Sequence, residues 1–283
     1  VNDCRQGCAA HTDLEGLARC LVLRLAEELG PDEALRLAPS LVRALGGFLV
    51  DAQELRARRE VVWACRRMSA LDFVSGTSGN FSQRLDSRTL LMTPSGMHKG
   101  DVVEDDLVRM TVEGQVLGSG RPSTEYRMHL AIYQARPDVH AVAHAHPPFA
   151  TGFAAAGLAL DQPLLPETLM VLGPRVPLVP YGTPSTDELP RAMQPYLPDH
   201  QAFLLANHGA VTLGSTMAEA VHRMETLEFF ARVLLYARLL GGEKLLTDEQ
   251  LRRLAQARPY ASSQEGRTGT PFSGKAFERG PAG

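Results

Sequence analysis

The 283-residue chain is 44% hydrophobic and 22% charged, the balance of an ordinary globular protein. Its 29 basic and 32 acidic side chains leave a formal charge of −3. That excludes the basic excess of a dedicated nucleic-acid binder and the charge-driven attachment of a protein to anionic lipid. At about 150 residues per domain the length predicts two domains, with enough chain to bury a core without disulfide or metal staples.

No apolar run approaches the ~20 residues that span a bilayer. Polar groups punctuate residues 1–10, so no signal peptide is predicted. Cys4, Cys8, Cys20 and Cys65 crowd the first quarter of the chain, whereas an oxidised scaffold distributes its cysteines. The pattern predicts reduced thiols and a cytoplasmic location. Leu14, Leu17, Leu21 and Leu25 fall at helical spacing and predict a first helix over 11–28, stopped by Gly30-Pro31. A second helix is predicted over 32–45, ended by Gly46-Gly47. A third covers 52–68, where Asp51, Glu54 and Glu60 interleave with arginines on a solvated face.

The texture changes at Asp72, where short β-type runs begin to alternate with Gly and Pro. Strands are predicted over 89–93, 107–111 and 115–117, the last two joined by a turn at Glu113-Gly114. A helix follows over 123–135, then strands over 140–146, 176–180 and 202–207. A long helix is predicted over 216–240, with Thr216 as N-cap and Glu219 completing a capping box. A shorter one covers 248–257, and the Gly-, Ser- and Pro-rich residues 261–283 predict a loose tail.

Within Ala141-Val142-Ala143-His144-Ala145-His146-Pro147, strand geometry points residues two apart to one face and sets two imidazoles side by side. His208 follows an apolar strand and precedes Gly209, at a strand end of the kind that exposes functional groups. Three neutral imidazoles with one position open suit a catalytic Zn²⁺ better than a closed structural one; isolated strand histidines also serve as ordinary core residues. His11, His98, His129, His140, His200 and His222 read as structural or exposed, His129 being set apart by sharing a helix with Glu125.

Gly76 and Gly79 permit a loop whose backbone donors cradle an anion. Ser95-Gly96 ends a strand in similar style, and Ser123-Thr124 opens a helix with its unpaired donors. Three donor-rich turns without a Walker-type lysine fit a phosphomonoester, although plain caps and turns use the same residues. Glu125 falls in the first helical turn, a place the helix dipole favours for a carboxylate on its own account. Lys99, near these loops, reads as a surface residue. Cys4, Cys8 and His11 lack a fourth metal ligand at the usual spacing.

Four blocks together resemble the class II aldolase/adducin family of zinc-dependent sugar-phosphate lyases and epimerases. They are Ser75-Gly76-Thr77-Ser78-Gly79-Asn80-Phe81-Ser82, Leu91-Met92-Thr93-Pro94-Ser95-Gly96, the run over 122–151, and Asn207-His208-Gly209. They follow the family's order and cover roughly residues 55 to 245. The resemblance implies an α/β fold: a three-layer α/β/α sandwich around a mainly antiparallel sheet, here with added N-terminal helices. It implies one Zn²⁺ per subunit on His144, His146, His208 and Glu125. It implies substrate phosphate on Asn80, Ser95, Gly96, Ser123 and Thr124, with Glu125 as acid/base. Tyr181 corresponds to a tyrosine contributed by a neighbouring subunit of a homotetramer. Glu at position 125 favours the lyase branch, which cleaves a ketose 1-phosphate to dihydroxyacetone phosphate and an aldehyde. A 4-epimerase, a methylthioribulose-1-phosphate-type dehydratase and a non-catalytic adducin-like interaction module remain as alternatives. A catalytic domain over 55–258 is expected, with a helical extension over 1–54 and a tail over 259–283. The expected partner is a small sugar phosphate, with neither nucleic acid nor membrane.

Overall fold

A computed structural model of the chain describes residues 24–28 and 30–257. Most of the predicted first helix, Cys4, Cys8, Cys20, His11 and the predicted tail lie outside the described residues. The chain divides into two units, Val1–Ala57 and Arg58–Gly283. In the first, residues 24–28 are helical and Gly30 takes a φ of 90°, which interrupts the helix as predicted. Helix α1 (Pro31–Ala70) then runs for 40 residues. The break predicted at Gly46-Gly47 is therefore absent. A glycine inside a helix costs about 1 kcal/mol, which weakens the helix; ending it takes a turn to positive φ such as Gly30 makes.

Among the described residues the second unit is built on seven strands, β1 (Asn80–Arg84), β2 (Thr89–Met92), β3 (Val108–Thr111), β4 (Ala141–Ala145), β5 (Leu178–Val179), β6 (Ala202–Leu205) and β7 (Gly209–Gly214), in the order β3-β2-β1-β4-β7-β6-β5. Every pairing is antiparallel except β5 with β6. The helices are α2 (Tyr126–Ala135), α3 (Pro148–Ala155), α4 (Pro166–Leu172), α5 (Glu188–Met193), α6 (Met217–Leu239) and α7 (Asp248–Ala257).

Alternation along the central strands makes three layers. On one face Val142, Val211, Leu90 and Met92 pack with Met128, Ile132 and Tyr133 of α2 and Leu189 and Met193 of α5. On the other, small Ala143 pairs with Thr212, whose hydroxyl donates to the Ala220 carbonyl of α6 at 2.7 Å. Alanines at alternate positions of β4 let α6 approach the sheet closely. The end of α1 lies in the same layer as α6: Gln83 donates to Glu60 at 2.6 Å, and Arg67 pairs with Glu225 of α6 at 2.7 Å.

Several predicted elements shift at their edges. Residues 115–117 form a single bridge, Met110 to Val116, beyond the turn at Gly114. Helix α2 begins at Tyr126, three residues later than predicted. Residues 176–180 shorten to β5 plus a bridge between Leu160 and Val176. Strands β1 and β7 and helices α3, α4 and α5 escape prediction, because their runs are short or buried on both sides and show no clean period. Among the described residues, no helix is long and apolar enough to cross a membrane.

Candidate metal centre and active site

The middle of the sheet brings four titratable groups together. His144 is on β4, His146 lies one residue past its end, and His208 sits in the turn between β6 and β7. Because β4 and β7 are paired, His208 folds back over His144, and the three ring centroids stand 4.7 to 5.2 Å apart. One nitrogen from each ring lies within 4.8 Å of the others, so the three could share one metal ion. Glu125, at the cap of α2, completes the group: Oε2 is 3.3 Å from His144 Nε2, and Oε1 is 3.2 Å from His208 Nε2. Glu125 thus stands just outside the helix instead of within its first turn.

Backbone details hold this geometry. Asn207 takes a left-handed φ of 54°, which turns the chain so that His208 points back over the sheet. A Cβ on Gly209 would lie 2.5 Å from His146 Cδ2 and 2.7 Å from the Ala145 carbonyl oxygen, so only glycine leaves room for that imidazole. A Cβ on Gly79, whose φ is 71°, would likewise lie 2.5 Å from Val74 Cγ1 and 3.0 Å from the His144 carbonyl oxygen.

Hydrogen bonding, burial and the neighbouring charges set the proton affinities of the cluster. His144 Nδ1–H donates to the Ala210 carbonyl at 2.9 Å, which aims the Nε2 lone pair into the cluster. His146 Nε2 lies 3.2 Å from His144 Nε2, two nitrogens converging on one point. Burial pushes the His146 imidazolium down to about 3, with the neighbouring His144 and His208 adding to it, so His146 is neutral. Burial opposes charge on His144 too, but the Glu125 carboxylate outweighs it and raises the net affinity for a proton. Burial also works against the Glu125 anion; His144 and His208 overcome it and hold the carboxyl well below its usual range. Glu125 Oε1 and His208 Nδ1 are buried without a hydrogen-bond partner.

Behind Glu125 lies a buried polar chain that sequence reasoning missed. Asn80 Nδ2 donates to Glu125 Oε2 at 2.7 Å, and Asn80 Oδ1 lies 2.6 Å from His129 Nε2. His129 Nδ1 lies 2.6 Å from Ser82 Oγ, which in turn is 2.8 Å from the Tyr133 hydroxyl. The available signal was the spacing of Glu125, at the cap of α2, and His129, about one turn into it.

The predicted anion-binding turns also meet. A bridge between Pro94 and Pro122 sets Ser95-Gly96 beside Ser123-Thr124. Ser95 N–H donates to the Arg121 carbonyl and Ser123 N–H to that of Thr93, both at 2.9 Å. Thr124 is exposed and its hydroxyl accepts from Ser185 at 2.8 Å. Lys99, expected at the surface, is buried instead. Its ammonium donates to the Thr77 and Met97 carbonyls at 3.0 and 2.8 Å and ties two of the loops together. Tyr181 is not gathered into the cluster; it is 59% exposed, two residues beyond β5. Tyr260 lies outside the described residues.

A family model for the class II aldolase and adducin N-terminal domain matches residues 59–235. A 3-oxo-tetronate 4-phosphate decarboxylase from Pectobacterium atrosepticum is 32% identical over 210 residues, covering 72% of this chain and 94% of its own. A 5-deoxy-D-ribulose 1-phosphate aldolase from Bacillus thuringiensis is 31% identical over 203 residues, covering 71% and 94%. The crystal structure of YgbL from Klebsiella pneumoniae superposes with a TM-score of 0.67 at 32% identity, covering 71% of this chain and 98% of that one.

Proposed function

The chain belongs to the class II aldolase and adducin family, and from that premise we propose that it is a Zn²⁺-dependent lyase that cleaves a ketose 1-phosphate by retro-aldol reaction. The observation that carries this reading is the position of Glu125, 3.2 to 3.3 Å from two imidazoles of a three-histidine cluster. The donor set fits a metal: His144 and His146 aim nitrogens at one point, and Glu125 Oε1 is buried without a hydrogen-bond partner. His144, His146 and His208, with Glu125, would hold the ion. Bound Zn²⁺ would supply Lewis acidity where negative charge develops as the bond between C3 and C4 breaks.

The chain's own residues do the rest. Ser95, Gly96, Ser123 and Thr124 bind the phosphate and fix the sugar against the cluster, while the buried amide of Asn80, expected at the phosphate, is committed to Glu125 and His129. Glu125, anionic at rest, takes up by way of Tyr181 the proton that leaves the C4 hydroxyl and delivers it to C3 of the three-carbon fragment, which leaves as dihydroxyacetone phosphate. Tyr181, from a neighbouring subunit of a homotetramer, handles the proton at the aldehyde oxygen. The protein acts in the cytoplasm.

A panel of ketose 1-phosphates assayed with and without chelator tests the reading. Aldehyde release that disappears on chelation and returns with zinc supports it; full activity in His144→Ala or in demetallated protein overturns it. A second reading follows from the decarboxylase relatives. Loss of CO₂ from a 3-oxo acid 4-phosphate also leaves negative charge beside a carbonyl, so the same cluster serves it. Including such an acid in the panel, with CO₂ as readout, separates the two.

A further inference from the structure

The polar chain behind Glu125 has a direction. His129 is fully buried on α2, and each ring nitrogen has one partner, Ser82 Oγ for Nδ1 and Asn80 Oδ1 for Nε2. An anionic Glu125 needs a donor at Oε2, and only the Nδ2 end of Asn80 donates, at 2.7 Å. The Oδ1 end of Asn80 therefore faces His129, and because that oxygen only accepts, His129 carries its proton on Nε2. Nδ1 is then bare and accepts the Ser82 hydroxyl proton. Ser82 Oγ can in turn only accept from Tyr133, whose hydroxyl also reaches the Ser82 carbonyl at 2.9 Å. Every donor points toward Glu125. Reversing the chain would set Asn80 Oδ1 against the carboxylate, acceptor against acceptor, in a site where an unmade hydrogen bond costs about 1–3 kcal/mol.

Building on the lyase reading, we infer that His129 is a positioning residue. By fixing the orientation of the Asn80 amide, it anchors Oε2 of Glu125 and leaves Oε1 as the oxygen that exchanges protons with the substrate. Oε1 takes no hydrogen bond and stands 3.2 Å from His208 Nε2, whereas Oε2 is held by Asn80. A residue that only filled space at position 129 would be replaceable by any ring of its size. A residue that orients Asn80 must donate from the place of Nε2. The side chain of Gln can do so, because its amide nitrogen reaches about the same distance along the side chain.

The experiment compares zinc-loaded wild type with His129→Phe and His129→Gln by kcat, KM, bound zinc and melting temperature. His129→Phe is expected to keep its zinc and its KM within about threefold while kcat falls about 100-fold. His129→Gln is expected to restore kcat to within about tenfold of wild type. Wild-type kcat in His129→Phe overturns the inference, as does a Gln variant no better than Phe. A readout independent of the reaction is the long-range ¹H–¹⁵N spectrum of wild-type histidines. A protonated Nε2 and bare Nδ1 on His129 support the directed chain, and the opposite tautomer overturns it. Should no ketose 1-phosphate be cleaved by wild type, the lyase reading fails, and the tautomer still decides the direction of the chain. Should His129→Phe not fold, the Gln variant and the spectrum carry the test.

Discussion

His129 ties the acid stability of the protein to its site. Burial drives its imidazolium down to about 3 from a usual 6.5, with His144 adding to the effect. The folded state therefore refuses a proton that the unfolded chain accepts between those values. The contribution is fully present above pH 6.5 and is lost as the pH falls toward 3, at up to about 1.4 kcal/mol per pH unit for the single group. Urea unfolding of metal-free protein between about pH 7 and pH 4 should show falling stability, and a shallower fall in His129→Phe; equal slopes would contradict the burial argument. Gly209 makes a second residue-scale case. An added methyl meets His146 Cδ2 at 2.5 Å and the backbone at Ala145. Gly209→Ala should cost about 1–3 kcal/mol and lower bound zinc, measured by unfolding and by metal analysis. Unchanged zinc with unchanged stability would refute this reading. Of these residues, the pairing of His144 with His146 was legible from strand period alone. The place of His129 was not, because its partners Asn80 and Ser82 come from β1, 49 and 47 residues earlier.

At the scale of elements, the long periodic segments were readable and the short ones were not. Helix α6 announces itself through Thr216, whose hydroxyl accepts from Glu219 N–H at 3.1 Å while Glu219 accepts from Ser215 N–H at 2.7 Å. Helix α3 has only eight residues and no side-chain cap of its own. Its N-terminal donors are satisfied from elsewhere: Glu228, on α6, accepts from Phe149 and Ala150 N–H at 2.9 and 2.8 Å. No local pattern reveals a cap that arrives 78 residues later. The consequence reaches the site, because α3 begins two residues after His146. Glu228→Ala strips two charge-assisted hydrogen bonds from a nearly buried end and should destabilise the protein by about 1–3 kcal/mol. It should also weaken zinc retention through displacement of Pro147. Chemical denaturation and zinc titration check this, and a variant as stable and as zinc-loaded as wild type would show the cap to be dispensable.

At the scale of the whole molecule, the sheet gathers the histidines and Glu125 within one chain and leaves Tyr181 exposed. Spacing and motif order were enough to propose the metal centre. They were silent on Tyr181, whose role rests on the family resemblance alone. If the proposed tetramer supplies Tyr181 from a neighbour, His144→Ala and Tyr181→Phe damage different subunits of the same site. Each variant alone then has little activity. When the two are co-expressed in equal amounts, a site works where an intact His144 meets an intact neighbouring Tyr181. Random assembly around a closed ring makes that about one site in four, and the recovered activity should approach that fraction of wild type. Recovery must also vanish when both substitutions are placed in one chain and mixed with His144→Ala, since no site then combines intact partners. If co-expression recovers nothing although both variants assemble, Tyr181 acts within its own chain or not at all, and the interface role is refuted.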